Sequence, residues 1–139
     1  MTRILIDKSE RELTLYHEQK ALKTYQVSLG RDPDGPKVRK GDGKTPEGKY
    51  SIDSKNGKSK FHRAFHVSYP NDADRKRAKL AGVAPGGDIM IHGMKNGLGW
   101  LGRLHRLIDW TEGCIAVTDS EMEELWQRVP VGTPVEIVP

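Results

Sequence analysis

Apolar and polar residues alternate through the N-terminal part of the chain. Leu13 and Leu15 flank polar Thr14, and after a short polar turn residues 21–29 continue the pattern. A period of two places the apolar side chains on one face of an extended strand, so these segments predict hairpin-linked strands. Further strands are predicted at Tyr50 and Ile52, at residues 89–91, at residues 115–117, and at Val135 and Ile137. The pattern therefore predicts a mainly β chain with a few helices.

One of these helices is polar and is predicted over residues 72–81. Asn71 or Asp72 is available as its N-cap, and Gly82 is placed to end it. The helix is strongly basic, which admits a nucleic-acid-binding role on the basis of charge alone. Its cationic residues are Arg75, Lys76, Arg77 and Lys79.

A second helix is predicted after Thr118. Thr118 and Glu121 have the spacing of a capping box, and Pro130 ends the helical pattern. The apolar residues between them recur at helical spacing, which predicts a face packed against the core. These residues are Met122, Leu125, Trp126 and Val129.

Two loops are predicted to carry polar residues between the strands. Glycine, proline, aspartate and lysine are concentrated from Gly30 to Gly48, which favours a long surface loop ending in the Lys-Thr-Pro-Glu-Gly turn of residues 44–48. The apolar run of residues 89–91 then brings His92 to the end of a short buried strand. These loops and strand ends are the places where a site can be built.

Length and composition narrow the class of protein. With 139 residues the chain has the size of one domain, so we expect a single domain spanning residues 1–139. It has no apolar run long enough to cross a bilayer, and its N-terminus lacks the apolar core and cleavage site of a secretory signal. The net charge of +4 is compatible with an acidic polymer, nucleic acid or an anionic membrane as partner, and equally with a solvated surface.

Cys114 is the only cysteine, so it cannot form an internal disulfide. A thiolate is a strong nucleophile, and a nearby imidazole can accept the thiol proton and later donate one to a leaving amine. All five histidines precede Cys114 in the chain. Gly113 leaves room for backbone N–H groups to approach an oxyanion. By themselves, however, these residues are equally compatible with a buried thiol and a packed imidazole.

The segments around Cys114 and His92 resemble the L,D-transpeptidase catalytic domain, also called the YkuD-type domain. The family signature is His-Gly, a spacer, then Ser/Thr-His-Gly-Cys and a hydrophobic residue. This chain has His92-Gly93 and, at residues 111–116, Thr-Glu-Gly-Cys-Ile-Ala. The opening strands, the 44–48 turn and both strand ends occur in family order. Residues 109–118 are similar to a subgroup of short single-domain members that lack the histidine before glycine.

The resemblance implies a YkuD-type β-sandwich or barrel-like fold and a set of site residues. Cys114 would be the nucleophile, and His92 would be the base, oriented by the backbone carbonyl of Gly93. The N–H groups of Gly113 and Cys114 would bind the oxyanion. Three charged residues of the spacer are expected either to bind stem carboxylates or to be solvated loop charges: Arg103, His105 and Arg106. The motif residue Thr111 is also expected to contact the substrate.

Two residues depart from the family pattern. Glu112 replaces the motif histidine, and Ala116 replaces an asparagine or arginine that helps to shape the substrate end. A carboxylate facing the thiol would raise its pKa and leave activation to His92, whereas a Glu112 that faces solvent or a basic neighbour would not. These departures also support an alternative, a catalytically inactive wall-binding module.

The substrates implied by the resemblance are peptidoglycan stem peptides in the bacterial cell envelope or periplasm. Cys114 would attack the diamino-acid carbonyl of a tetrapeptide stem and expel the terminal D-alanine, and an amine or water would resolve the thioester. An enzyme that attaches or releases an outer-membrane lipoprotein at the same residue is the alternative. Neither nucleic acid nor a cofactor is implied. No metal site is predicted, because His62 and His66 stand four apart in a segment that favours a strand.

Overall fold

The computed structural model describes residues 2–59, 61–94 and 109–139. Within these ranges the chain is mainly β with two helices, as the alternation pattern predicts. The elements in chain order are β1 (Thr2–Asp7), β2 (Glu12–His17), β3 (Lys20–Gln26), β4 (Gly48–Ser59), β5 (His62–Val67), α1 (Asp72–Ala81), β6 (Met90–His92), β7 (Ile115–Ala116), α2 (Asp119–Arg128) and β8 (Pro134–Val138). In the same ranges neither helix is long and apolar enough to span a membrane.

The strands of the described residues form one eight-stranded sheet in the order β3-β2-β1-β8-β4-β5-β6-β7. β1 pairs with β8 and β6 with β7 in parallel, and the other neighbours are antiparallel. The C-terminal strand β8 lies between β1 and β4, so it joins the N-terminal hairpin to the second half of the sheet. The short strands β6 and β7 lie at the other edge, where the sheet presents His92 and the residues around Cys114.

The alternation seen in the sequence becomes alternating burial in the strands. Leu13 and Leu15 of β2 are fully buried, and so are Val135 and Ile137 of β8. Burying each such side chain contributes about 1.5–3 kcal/mol relative to leaving it in water. The core that they form also includes Ile91 and the residues that follow Cys114, so the site stands on the packed interior.

Helix α1 has the predicted bounds and buries very little. Asn71 is the N-cap, and its side chain accepts a hydrogen bond from the N–H of Asp74, while Gly82 ends the helix in the left-handed conformation (φ 70°). Its buried residues are Asp74, which accepts a hydrogen bond of 2.7 Å from the Tyr50 hydroxyl, and Ala78. The rest of α1 is a charged surface.

Helix α2 begins at the predicted capping box of Thr118 and Glu121. Met122 and Leu125 are fully buried, and Trp126 stacks on Phe65 of β5 with ring centroids 5.9 Å apart. The predicted apolar stripe is therefore the face that packs on the sheet. This packing places the N-terminus of α2 beside the end of β6.

The segment between β3 and β4 is a long loop, as predicted, but two buried lysines hold it in place. Lys8 Nζ donates to the carbonyls of Thr45 (2.7 Å) and Gly35 (2.9 Å), and burial lowers the pKa of this ammonium. Lys37 Nζ donates to Asp42 Oδ1 (2.9 Å) and to the carbonyl of Arg39 (3.1 Å). Because a buried ammonium without acceptors is costly, these bonds fix the backbone of the loop.

Candidate active site

The sheet register brings His92 and Cys114 to adjacent strands. β6 and β7 pair in parallel with Ile91 opposite Ile115 and His92 opposite Ala116. Cys114 directly precedes β7, and if the alternation of side chains along the strand extends to position 114, its side chain shares a sheet face with His92. Diagonal neighbours on one sheet face stand about 7–8 Å apart at Cα, a separation that long side chains span. The fold thus places the strand that ends in His92 beside the strand that follows Cys114, 22 residues later in the chain.

The imidazole of His92 has one defined tautomer when it is neutral. His92 is 2% exposed, and its Nδ1 lies 2.6 Å from the backbone oxygen of Gly93. A carbonyl oxygen only accepts hydrogen bonds, so Nδ1 must carry the proton. The lone pair of the neutral ring is then on Nε2, which is the nitrogen that a general base needs.

Two aromatic side chains fix the plane of this imidazole. Phe61 stacks on His92 with ring centroids 4.3 Å apart and an interplanar angle of 29°, and Trp110 lies against it with centroids 5.9 Å apart. The two aromatic rings also contact each other. Phe61 precedes β5 in a stretch whose only sequence pattern is that of a strand, so nothing in the sequence marked it as a contact of the histidine.

The turn after His92 requires glycine because of its surroundings. A Cβ on Gly93 would lie 2.6 Å from Asp119 Oδ1 and 3.1 Å from the carbonyl oxygen of Phe61. The same Asp119 oxygen accepts a hydrogen bond of 2.8 Å from the N–H of Met94. The first residue of α2 therefore clamps the turn whose carbonyl orients the imidazole. Sequence reasoning did not identify Asp119.

The thiol of Cys114 is partly exposed, and its Sγ lies 3.4 Å from the backbone oxygen of Asp88. Burial raises the pKa of this thiol, a backbone hydrogen bond from Met90 opposes that effect, and the Asp88 carboxylate adds to it. A raised pKa keeps the sulfur protonated at neutral pH, so it needs a base to become a nucleophile. His92, on the neighbouring strand β6, is the predicted candidate for this base.

The motif loop before Cys114 is held together by Thr111. The Thr111 hydroxyl donates to the carbonyl of Cys114 at 2.7 Å and accepts from the N–H of Gly113 at 3.1 Å, and the residue is 4% exposed. The structure thus gives the Thr111 hydroxyl two partners within the motif, and its predicted substrate contact stays a prediction. Because the Gly113 N–H already donates to the Thr111 hydroxyl, the Cys114 N–H is the remaining predicted oxyanion donor.

Gly113 couples this loop to the 44–48 turn. Its φ of +125° is strained for any residue with a side chain, and a Cβ would lie 2.6 Å from the carbonyl oxygen of Lys44. Thr45 is fully buried, and its hydroxyl accepts a hydrogen bond of 3.0 Å from the N–H of Gly30. Lys8 donates to the Thr45 carbonyl, so it holds the turn against which Gly113 packs.

The two departures from the family pattern have structural explanations. The Glu112 carboxylate lies 3.2 Å from Arg31 Nε on the exposed side, so it faces a basic neighbour. Ala116 is fully buried, and its backbone exchanges hydrogen bonds of 2.9 and 3.0 Å with Ser28. Glu112 therefore pairs with Arg31, and the buried methyl group of Ala116 cannot shape the substrate end.

Asp109, at the start of the motif, anchors it to the N-terminal hairpin. Its Oδ2 accepts hydrogen bonds of 2.7 and 3.2 Å from Arg11, and its Oδ1 accepts one of 3.1 Å from the N–H of Leu29. The sequence showed Asp109 as part of a motif and gave no indication of its partners. The anchor holds the motif loop against the turn after β1 and the segment that follows β3.

A groove with a volume of about 430 Å³ opens beside the thiol. Cys114 lies on its wall together with charged residues and glycines from three loops. The other lining residues are Lys37, Lys40, Gly41, Gly86, Gly87, Asp88 and Glu112.

Three predicted substrate contacts, Arg103, His105 and Arg106, lie outside the described residues. His62 and His66 lie on β5 as expected, with His62 Nε2 2.7 Å from Glu123 and His66 Nδ1 2.7 Å from Asp53. Within residues 2–59, 61–94 and 109–139 there is no group of three or more His, Cys, Asp or Glu residues that could hold a metal ion.

The model of the L,D-transpeptidase catalytic domain family matches residues 1–137. The chain therefore belongs to the L,D-transpeptidase catalytic domain family, which confirms the resemblance. Over 132 residues it is 31% identical to the putative L,D-transpeptidase YafK of Escherichia coli strain K12, an alignment that covers 91% of this chain and 46% of that protein.

Solved structures agree with the family and with the predicted fold class. The helical cell shape determining protein Pgp2 from Campylobacter jejuni is similar with a TM-score of 0.73 at 28% identity, over 98% of this chain and 46% of that one. An L,D-transpeptidase from Mycobacterium smegmatis shares the fold with a TM-score of 0.65 at 15% identity, over 99% and 58%. The chain thus spans about half the length of these relatives.

Proposed function

We propose that this chain is a peptidoglycan-modifying cysteine acyltransferase that acts on tetrapeptide stems through a thioester on Cys114. The proposal rests on family membership and on one observation of the site. Nδ1 of His92 donates to the Gly93 carbonyl, which leaves the lone pair of the neutral ring on Nε2, and His92 lies opposite Ala116, two residues after Cys114. The chain would act as an L,D-transpeptidase, an L,D-carboxypeptidase or both.

The proposed first step forms the acyl-enzyme. His92 Nε2 takes the proton of the Cys114 thiol, and the sulfur attacks the carbonyl carbon of the diamino-acid residue. The tetrahedral oxyanion receives the N–H of Cys114, and the imidazolium then protonates the leaving nitrogen as the C–N bond breaks. The products are a thioester and a free terminal D-alanine.

The second step decides between the two activities. An amine of a neighbouring stem that attacks the thioester gives a cross-link, and water gives a shortened stem, and in both cases the thiol is restored. The same thioester could accept or release a lipoprotein lysine, which is the alternative implied by the resemblance. The acyl acceptor, and not the nucleophile, distinguishes these activities.

The nucleophile is tested by intact-mass measurement after incubation with a carbapenem. We expect the wild type to gain one covalent adduct and Cys114→Ala to gain none. A wild type that stays unmodified under conditions in which its fold is intact supports the inactive wall-binding module and overturns the proposal.

The substrate is tested by mass analysis of muropeptides after incubation of purified sacculi with wild type or Cys114→Ala. We expect released D-alanine with either new cross-links or shortened stems, in the wild type alone. A freed lipoprotein remnant without stem cleavage favours the lipoprotein reaction. Identical muropeptide profiles, or tight DNA binding that weakens steeply with salt while sacculi stay unchanged, contradict the proposal.

A further inference from the structure

The groove beside Cys114 is built where three loops converge. The N–H of Lys40 donates to the carbonyl of Ala84 at 2.9 Å, and a Cβ on Gly86 would lie 3.0 Å from the Cα of Lys40. The loop of Lys40 and the loop before β6 are thus in direct backbone contact. Cys114 belongs to the third loop. Its Sγ lies 3.4 Å from the carbonyl oxygen of Asp88, two residues after Gly86.

Glycines give this groove a floor of bare backbone. Gly41 and Gly86 both have a φ of +81°, which disfavours residues with side chains, and Gly87 has no neighbour within 4 Å of the position where a Cβ would be. An extended peptide can therefore lie along the groove without meeting side chains from these positions. The groove has room for the peptide on one side of the scissile bond.

Most charges in the groove already have a partner elsewhere. Lys37 is 3% exposed and is paired with Asp42 at 2.9 Å, and Glu112 is paired with Arg31 at 3.2 Å. In the part of the chain that the structure describes, the exposed ammonium of Lys40 forms no hydrogen bond or ion pair. Lys40 is therefore the lining cation that is available to a ligand.

Among the described residues the Asp88 carboxylate forms no ion pair with Lys40. Its side chain is 90% exposed, and the nearest ring nitrogen, Nε2 of His66, lies 3.8 Å away. A carboxylate entering the groove would thus meet the ammonium of Lys40 as the available cation of the lining.

We propose that Lys40 determines specificity by binding the free carboxylate of the terminal residue that the reaction expels. This inference rests on the proposed function. In a tetrapeptide stem that carboxylate is attached to the carbon next to the scissile nitrogen, so it enters the site together with the reacting bond. The flexible four-carbon stem of lysine allows its ammonium to follow a carboxylate close to the thiol. The enzyme would then act on stem ends and would disfavour stems without a terminal carboxylate.

The test compares two synthetic tetrapeptide stems, one with a free terminal carboxylate and one with a terminal carboxamide. Release of the terminal residue is measured as kcat/KM for the wild type, Lys40→Met, Lys40→Arg and, as a matched control on the far edge strand, Lys20→Met. The ratio between the two substrates cancels differences in enzyme concentration, and comparing this ratio between variant and wild type also cancels the difference between the two leaving amines.

We expect the acid-to-amide ratio to fall roughly ten- to a hundredfold in Lys40→Met, to be retained largely in Lys40→Arg, and to be unchanged in Lys20→Met. A ratio that is the same in Lys40→Met and the wild type overturns the assignment. A third stem, amidated only at an internal carboxylate, also tests the assignment. If the effect of Lys40→Met disappears with this stem, Lys40 binds the internal carboxylate and the assignment is wrong.

Failure of this inference is distinguishable from failure of the proposed function. Acylation of the wild type by a carbapenem with an unchanged acid-to-amide ratio in Lys40→Met rejects only the role of Lys40. Absence of any Cys114 adduct rejects the acyltransferase itself.

Discussion

The two sides of the candidate site are built on opposite principles. His92 is buried, its neutral tautomer is set by the Gly93 carbonyl, and its ring stacks on Phe61 with Trp110 tilted against it. Cys114 is partly exposed and opens into a groove lined by charges and glycines. We infer that the base is fixed in advance, whereas the nucleophile side is shaped to receive a ligand. In the proposed reaction the first feature would favour catalysis, because the base needs no reorganisation, and the second would set specificity.

The largest expected effect comes from removing the fixed base. His92→Asn should lower the second-order rate of carbapenem acylation by roughly 10²–10⁴-fold, the usual contribution of a general base, because the thiol pKa is raised above its ordinary value. The rate is obtained by quenching the reaction at successive times and measuring the intact mass of the protein. His66→Asn, on the neighbouring strand β5, is the control and should stay within about threefold of the wild type. Equal rates for His92→Asn and the wild type would remove His92 from the mechanism.

A pH series on the same pair sharpens the comparison. In His92→Asn the acylation rate should rise with pH and level off only above the ordinary thiol pKa, because burial raises the pKa of Cys114. The wild type should retain substantial reactivity near neutral pH. A pH profile shared by both proteins contradicts activation by the imidazole.

The next effect concerns Gly113, where the motif loop meets the 44–48 turn. Gly113→Ala should lower the free energy of unfolding by about 3 kcal/mol or more, since it combines a strained φ with a Cβ 2.6 Å from Lys44 O. Gly132→Ala is the matched control, because Gly132 also has a positive φ (+95°) but no atom within 4 Å of its Cβ position. Strain alone should cost about 1–2 kcal/mol there. Equal losses, measured by denaturant unfolding, mean that the backbone contact can relax.

A smaller effect tests the groove side. Burial opposes ionisation of Asp42, but hydrogen bonds from Lys37 and from the N–H groups of Val38, Arg39 and Lys44 outweigh it and lower the pKa to about 2. A carboxyl with a lowered pKa contributes stability above its ordinary pKa and loses it as the pH falls through its folded value.

Asp42→Asn should therefore be less stable than the wild type by roughly 2 kcal/mol at pH 7, and this difference should shrink as the pH falls from about 4 to about 2. Urea unfolding at several pH values measures it. A difference that does not depend on pH shows that the charge of Asp42 contributes nothing.

The smallest effect is expected at the rim of the groove. Glu112→Gln should change the carbapenem acylation rate by less than about twofold and the free energy of unfolding by less than about 1 kcal/mol, because Glu112 and Arg31 form an exposed ion pair. A large gain in thiol reactivity would instead show that the carboxylate acts on Cys114 in solution.

Periodicity and capping residues predicted most of the elements correctly. Residues 72–81, the capping box at Thr118 and the strand around residues 89–91 follow from local patterns, and the family signature indicated both Cys114 and His92. The contacts of Phe61, Asp109 and Asp119 could not be predicted in this way. Each depends on which strands pair and in what register, and their local sequence is compatible with many partners.

The sequence alone determined the alternating strands, the two capped helices, a single thiol preceded by every histidine, and membership of the family through its motif. Only the tertiary structure decided which nitrogen of a neutral His92 carries the proton, that Glu112 faces Arg31, and that Lys8 holds the turn beside the cysteine loop. The physical reason is the separation along the chain of the residues that set each feature. Periodicity and capping are set by residues a few positions apart, whereas tautomers, ion pairs and buried cations are set by atoms that only the folded sheet brings together.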